Sequence, residues 1–287
     1  MKKFLIVVCL VSCLIMGMSV NVYAVTDDNV AQCQSSVTVY ESDMIEEIQK
    51  LSNDELLKCG YDLHTIEQAR NANVKDTISW LRKMSEEELI QRGYSAEEIH
   101  KLKSPEAYSM KASEVYGAVT YTIEPFSYIY SKVSDDTTVS VKVSWNWSKY
   151  PVCAYTDIIA CTTSNNKFVV DNGTGKVNYH QSVNSSVVVA GYTPIVKAAS
   201  SKHCAYIQIP MTKQGDGIVP YLAKTGFMTT EWKADGKIAR VAASCKYGHN
   251  EGRPSTEPSA SVTEHEIVFS PGSVKTGVEA AISMNLQ

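Results

Sequence analysis

The chain has 287 residues, of which 44% are hydrophobic and 20% charged, with a formal net charge of −4 at pH 7. That length holds one large domain or two modest ones, and the mildly negative charge gives no drive toward nucleic acid or an anionic membrane surface. Fifteen Gly and nine Pro exclude a collagen-like or low-complexity chain, and a single continuously apolar segment excludes a polytopic membrane protein.

Residues 1–24 read as an export signal. Lys2 and Lys3 precede the apolar run Phe4 to Met18, and Val22-Tyr23-Ala24 forms a cleavage site before Val25. Ser, Gly and Asn break the run before it reaches the roughly 20 residues a membrane span needs. Secretion is therefore expected, with no transmembrane segment left after signal removal. The alternative is a lipoprotein anchored through Cys13 in Leu10-Val11-Ser12-Cys13, although Leu14-Ile15-Met16 continue the apolar run. Six cysteines lie beyond the signal: Cys33, Cys59, Cys153, Cys161, Cys204 and Cys245. In an exported chain they are disulfide candidates, with all pairings open. No CxxC indicates zinc or dithiol redox chemistry.

The segment after residues 25–40 is helical in pattern. Ser52-x-x-Glu55, Ser85-x-x-Glu88 and Ser95-x-x-Glu98 are three capping boxes, each opening an apolar-periodic run. Gly60 and Gly93 stand where such helices end. Leu51 to Tyr61 aligns with Met84 to Tyr94 at an offset of 33 residues, so residues 41–103 read as a helical module of two repeats. Trp80, between the copies, is expected to fill their shared core. The helix–Gly-aromatic–helix rhythm resembles small three-helix modules such as the ubiquitin-associated domain, a likeness that carries over no function.

Ser104-Pro105 opens a linker over 104–114, and from residue 115 the period changes to two. Val139, Val141, Val143, Trp145 and Trp147 alternate with Ser140, Lys142, Ser144, Asn146 and Ser148, as in a half-buried strand. Val119-Tyr121-Ile123 does the same. Asn172-Gly173 and Asp235-Gly236 read as hairpin turns between apolar runs, and further strands are expected at 186–190, 206–209 and 267–269. The fold class is α+β by segregated domains: the helical repeat module, then an all-β sandwich or open barrel over 115–287.

Candidate binding residues come from this β half. Trp145 and Trp147 offer a stacking platform for sugar rings, but share a face with three valines, which is the register of a core. Tyr247-Gly248-His249 at a strand end supplies an acid–base group, and Asp157 a carboxylate. No HxH or HExxH spacing sets two histidines on one face, so no metal and no cofactor are expected. Neither a G-x-S-x-G elbow nor a P-loop is present, and no catalytic residue is assigned.

The run Trp145-Asn-Trp147-Ser-Lys-Tyr-Pro151, continuing through Tyr155-Thr156-Asp157 and later Tyr247-Gly248-His249, resembles uncharacterised secreted proteins of Gram-positive bacteria. The resemblance implies secretion and a β-rich fold and carries over no activity. The expected function is an exported, non-enzymatic binding or cell-surface interaction protein with an extracellular ligand and no nucleic acid partner. The alternative is a secreted hydrolase acting on glycan or cell-wall material, which needs paired carboxylates in a groove. A third reading is a β-pore-forming toxin, from the Ser/Thr–Val alternation of residues 137–148. The charge divides as the elements do: residues 25–114 hold ten basic against eighteen acidic side chains (−8), and residues 115–287 hold fifteen against thirteen (+2).

Overall fold

Capping decides where the helices begin. In a computed structural model of the chain, all three Ser-x-x-Glu boxes close: the Ser hydroxyl accepts the amide three residues on, and the Glu carboxylate accepts the Ser amide, at Ser52/Glu55, Ser85/Glu88 and Ser95/Glu98. Each box satisfies two otherwise orphaned amides at the first turn. The structure describes residues 34–58, 63, 66–67, 73–216, 219–250, 257–263, 266–270, 274–276 and 279–285. They fall within a single compact unit, Gln32–Gln287.

Among the described residues the helices are α1 (Glu41–Lys50), α2 (Asn53–Lys58), α3 (Val74–Leu81), α4 (Glu86–Gln91), α5 (Ala96–Lys103) and α6 (Ala112–Val115). Gly93 ends α4 with φ +96°, where a side chain would be strained. The second of the two sequence copies is thus a capped helix, a Gly-Tyr turn and a second helix. Gly60-Tyr61 of the first lies outside the described residues, so the repeat is not established as a structural unit. The segment 104–114 is built: a 3-10 turn at Pro105–Ser109 leads into α6. Ile78, Leu81, Leu89, Tyr94, Ile99 and Leu102 form the core of this part. Trp80 does not join them. It is 39% exposed, because α3 turns Ile78 and Leu81 inward and carries Trp80 to the outer side.

The strands up to residue 192 are β1 (Ser35–Tyr40), β2 (Ala118–Ser131), β3 (Asp136–Trp147), β4 (Thr156–Thr163), β5 (Val169–His180) and β6 (Ala190–Tyr192). They are followed by β7 (Lys197–Ala198), β8 (Cys204–Pro210), β9 (Thr212–Lys213), β10 (Tyr221–Asp235) and β11 (Arg240–Asn250). The last are β12 (Ser259–Thr263), β13 (Glu266–Ser270), β14 (Val274–Thr276) and β15 (Ala280–Asn285). One sheet runs β1-β2-β3-β10-β5-β6, with β9 also on β10. The other runs β14-β11-β4-β8-β7, with β15 also on β11. Among the described residues all pairings are antiparallel, and the protein is mostly β with sandwich-like layers.

The two sheets share one core. Val139, Val141, Val143, Trp145 and Trp147 of β3 pack with Ile159 and Cys161 of β4 and with Val241, Ala243, Cys245 and Tyr247 of β11. The alternation read from the sequence therefore points β3 inward as expected. Strand β4 is buried on both faces: Ile158 and Ala160 lie beneath the β12–β13 hairpin with Ile267 and Phe269.

Two expected hairpins are absent. Asn172-Gly173 lies inside the continuous strand β5, where Glu231 pairs with Asn172 and Trp232 with Val170, leaving Asp171 as the extra residue of a bulge. Asp235-Gly236, with Gly236 at φ +76°, turns the chain from β10 in one sheet to β11 in the other, so its flanking strands never pair. Over 186–190 regular strand begins only at Ala190. Among the described residues no disulfide joins Cys153, Cys161, Cys204 and Cys245 to one another; Cys33 and Cys59 lie outside them. No helix among the described residues is long and apolar enough to cross a membrane.

Candidate functional site

Residues at odd positions of β3, β4 and β11 face the shared core, and this parity brings the five sequence candidates together. Gly248 pairs with Ile158, which carries His249 to the level of Asp157 on the adjacent strand. The His249 Nδ1 lies 3.0 Å from Asp157 Oδ1 and 3.1 Å from Oδ2. The Asn250 amide donates to Oδ1 at 3.0 Å, and the Tyr247 hydroxyl donates to Oδ2 at 2.8 Å. The Trp147 indole N–H donates in turn to the Tyr247 hydroxyl at 3.1 Å. Rings close the cluster: Trp147 lies 5.1 Å from His249, and Trp145 6.4 Å from Tyr247, centroid to centroid.

One member was not foreseen. Glu41 opens α1 directly after β1, and its side chain is fully buried. Its Oε1 accepts the amides of Val152 at 2.7 Å and Cys153 at 3.0 Å and lies 3.6 Å from His249 Nε2. In sequence Glu41 is one of several acidic residues in the helical segment, and no local pattern sets it apart.

The electrostatics follow from this bracketing. Burial pushes the His249 pKa down, but the Asp157 and Glu41 carboxyl groups outweigh it and hold the imidazole well above its ordinary value. The Tyr247 phenol is raised well above its own value, first by burial and then by Asp157. Asp157, His249 and Glu41 have no solvent-exposed surface. The imidazole Nδ1 is bonded to Asp157, whereas Nε2 is buried without a hydrogen-bond partner among the described residues, 3.6 Å from Glu41 Oε1. The arrangement holds a proton between two acids and joins three separated stretches of chain: the start of α1, the 152–157 segment and the end of β11. Among the described residues no group of three His, Cys, Asp or Glu is placed to hold a metal ion. His180 and His203 are used structurally, the first on Ser185 and Thr225, the second on the Phe168 carbonyl.

The accessible chemistry lies elsewhere. The Arg92 guanidinium sits 5.0 Å from the Trp80 ring and 4.6 Å from the Tyr150 ring, which fixes the exposed Trp80 against α4. On α3, beside Trp80, Ser79 bonds the Tyr108 hydroxyl at 3.1 Å, and Arg82, at the C-cap of that helix, lies 5.5 Å from the Tyr108 ring. Tyr108 is itself exposed. Sequence reading placed Trp80 in a core and did not single out Tyr108, Arg82 or Arg92. The only available signal was residue type, since Trp, Tyr and Arg are the types enriched at binding hot spots.

No family model matches the chain, and no curated protein matches it. Among solved structures it is similar to Clostridium perfringens delta-toxin, at 8% identity and a TM-score of 0.28 over 59% of this chain and 85% of that one. It is similar also to the collagen-binding domain of a Staphylococcus aureus adhesin, at 8% identity and a TM-score of 0.27 over 56% and 95%. A third similarity is to the C-terminal domain of the Streptococcus pyogenes antigen I/II-family protein AspA, at 8% identity and a TM-score of 0.27 over 62% and 63%.

Proposed function

We propose that this chain is an exported binding protein that engages a partner outside the cell or at its surface, without chemical turnover. The observation that carries the reading is the fixed, exposed Trp80, stacked on Arg92 and through it on Tyr150. An aromatic side chain already held in place loses little conformational entropy when a partner covers it, and Trp with Arg forms the kind of pair that dominates binding energy. The helical module, residues 41–103, then serves as the interaction element, and the sandwich as the scaffold that holds it. Export rests on the signal-like residues 1–24, and the resemblance to secreted Gram-positive proteins is consistent with it.

Trp80 reports on its own site. The other three tryptophans, Trp145, Trp147 and Trp232, are buried, so accessible indole fluorescence comes from Trp80. The test screens purified chain against a printed glycan array and a phage-displayed peptide library, then titrates retained ligands while following that fluorescence. A ligand that shields Trp80 from acrylamide, and is lost in Trp80→Ala with an unchanged melting temperature, supports the reading. Release of reducing ends from peptidoglycan would establish a hydrolase instead, and dye leakage from liposomes a pore former. Absence of any retained ligand also overturns it.

A further inference from the structure

Cys161 of β4 and Cys245 of β11 stand directly opposite each other on adjacent antiparallel strands. Both point into the shared core, neither has exposed surface, and their thiols share a hydrogen bond. Facing residues of an antiparallel pair have Cα atoms about 4.5 or 5.5 Å apart, according to whether they exchange backbone hydrogen bonds. Either separation falls within the span of a disulfide, about 4.4 to 6.8 Å. Cys204 does not compete for this contact. It opposes Thr162 and lies on the other face of β4, in the cluster with Ile158 and Ala160. The pair also stands where a cross-link has an effect: further along the same ladder Gly248 faces Ile158, the register that brings His249 to Asp157.

We propose that Cys161 and Cys245 form a redox pair: a dithiol, as in this structure, and a cross-strand disulfide when the chain folds in the presence of a low-molecular-mass disulfide, RSSR. One cysteine, as thiolate, attacks RSSR, forms a mixed disulfide and releases one RSH. The other, as thiolate, attacks the protein sulfur of that mixed disulfide and releases the second RSH. The two protein thiols give up two electrons, RSSR takes them, and both thiol protons end on the released RSH. Exchange needs an accessible thiolate, so it runs before the sheets close and stops once the pair is buried. The bond closes a loop of roughly 80 residues, long enough to remove substantial entropy from the unfolded chain. It also forbids the slip of one residue that would turn His249 away from Asp157. The inference does not rest on Trp80 or on what Trp80 binds.

The experiment refolds the purified chain from urea, with dithiothreitol in one arm and a mixture of oxidised and reduced glutathione in the other. Disulfides are then mapped by mass spectrometry of unreduced peptides. The expected result is a Cys161–Cys245 cross-link in the glutathione arm alone. Relative to the reduced arm, the melting temperature should rise by about 5 to 10 °C more in the parent chain than in Cys161→Ala or Cys245→Ala. Oxidised glutathione added to chain already folded under dithiothreitol should leave both thiols unreacted over hours. A glutathione arm in which both stay thiols, or in which either pairs with another cysteine, overturns the proposal. A cross-link that lowers the melting temperature refutes it too, since the two residues then do not face each other as paired. Cross-linking of the folded chain within minutes also refutes it, because exchange then does not wait on unfolding.

Discussion

The His249 imidazole and the Asp157 carboxylate meet across β11 and β4 at 3.0 Å with no solvent on either side. The pair sits beside a sandwich core of aliphatic and aromatic side chains, among them Val143, Ile159 and Trp147. A charged contact there is costly to assemble and more costly to break in half, because the remaining partner is left buried without compensation. Glu41 adds a second acid from the far side of the ring, tying the N-terminal strand and helix to the strands that follow.

Replacing Asp157 with Asn therefore removes the charge that holds His249 and leaves the Tyr247 hydroxyl and the Asn250 amide facing a neutral amide. A loss of about 3 to 5 kcal/mol is expected, the range for breaking a buried pair. Urea denaturation of the variant against the parent chain measures it. A loss below roughly 1 kcal/mol, the scale of a surface pair, removes the network from the account of stability.

The pH dependence has a definite sign. His249 is held above its ordinary pKa in the folded chain, so it binds a proton more tightly folded than unfolded. Its contribution is full below the unfolded value of about 6.5 and fades as pH rises through the folded value. The parent chain should lose stability above neutral pH relative to His249→Asn, and the difference between the two should be flat below about pH 6. Melting curves recorded from pH 5 to 10 give the comparison. A difference that grows toward acid pH would contradict the assignment.

Thiol reactivity should follow burial. Cys161, Cys204 and Cys245 are buried, and Cys153 is partly accessible. Burial pushes the Cys204 thiol up to about 12 and the Cys161 thiol well above its ordinary value, so neither forms thiolate near neutral pH. Iodoacetamide on the native chain, mapped by peptide mass spectrometry, should leave Cys161, Cys204 and Cys245 unmodified and reach them only in denaturant. Labelling of Cys161 in the native state would argue against this core.

Gly226 faces Trp145 across β10 and β3. A methyl group there would land on the Trp145 ring and on the Lys176 carbonyl oxygen, neither of which has room to withdraw. Gly226→Ala is expected to cost about 1 to 3 kcal/mol, the usual range for overpacking. Gly236→Ala is the matching control for strain alone, since a Cβ there meets nothing within 4 Å but has to adopt φ +76°. If Gly226→Ala melts with the parent chain, the close packing of Trp145 on β10 is wrong.

Much of the architecture was legible because it is written in local periodicity and chemistry. The Ser-x-x-Glu boxes bring donor and acceptor together within three residues, so those at Ser85 and Ser95 fixed helix starts without reference to anything distant. Alternation along β3 gave its inward face, since neighbouring side chains on a strand point to opposite sides. The same parity set Tyr247 and His249 on one side of β11. The two failed hairpins show the limit: Asn-Gly inside β5 and Asp-Gly after β10 have the right turn residues, but whether flanking strands pair is decided by sheet order.

Trp80 marks the same limit in the helical part. Its place between two similar segments suggested a shared core, yet the phase of α3, set by how Ile78 and Leu81 pack, turned it outward to Arg92. By itself, then, the sequence determined the period of each segment, where the capped helices begin and which side of each central strand is apolar. The tertiary structure alone decided that Glu41, Asp157 and His249 share one buried site, because they come from chain segments roughly a hundred residues apart. Contacts of that kind depend on which strands become neighbours, a global property of packing that no local spacing records.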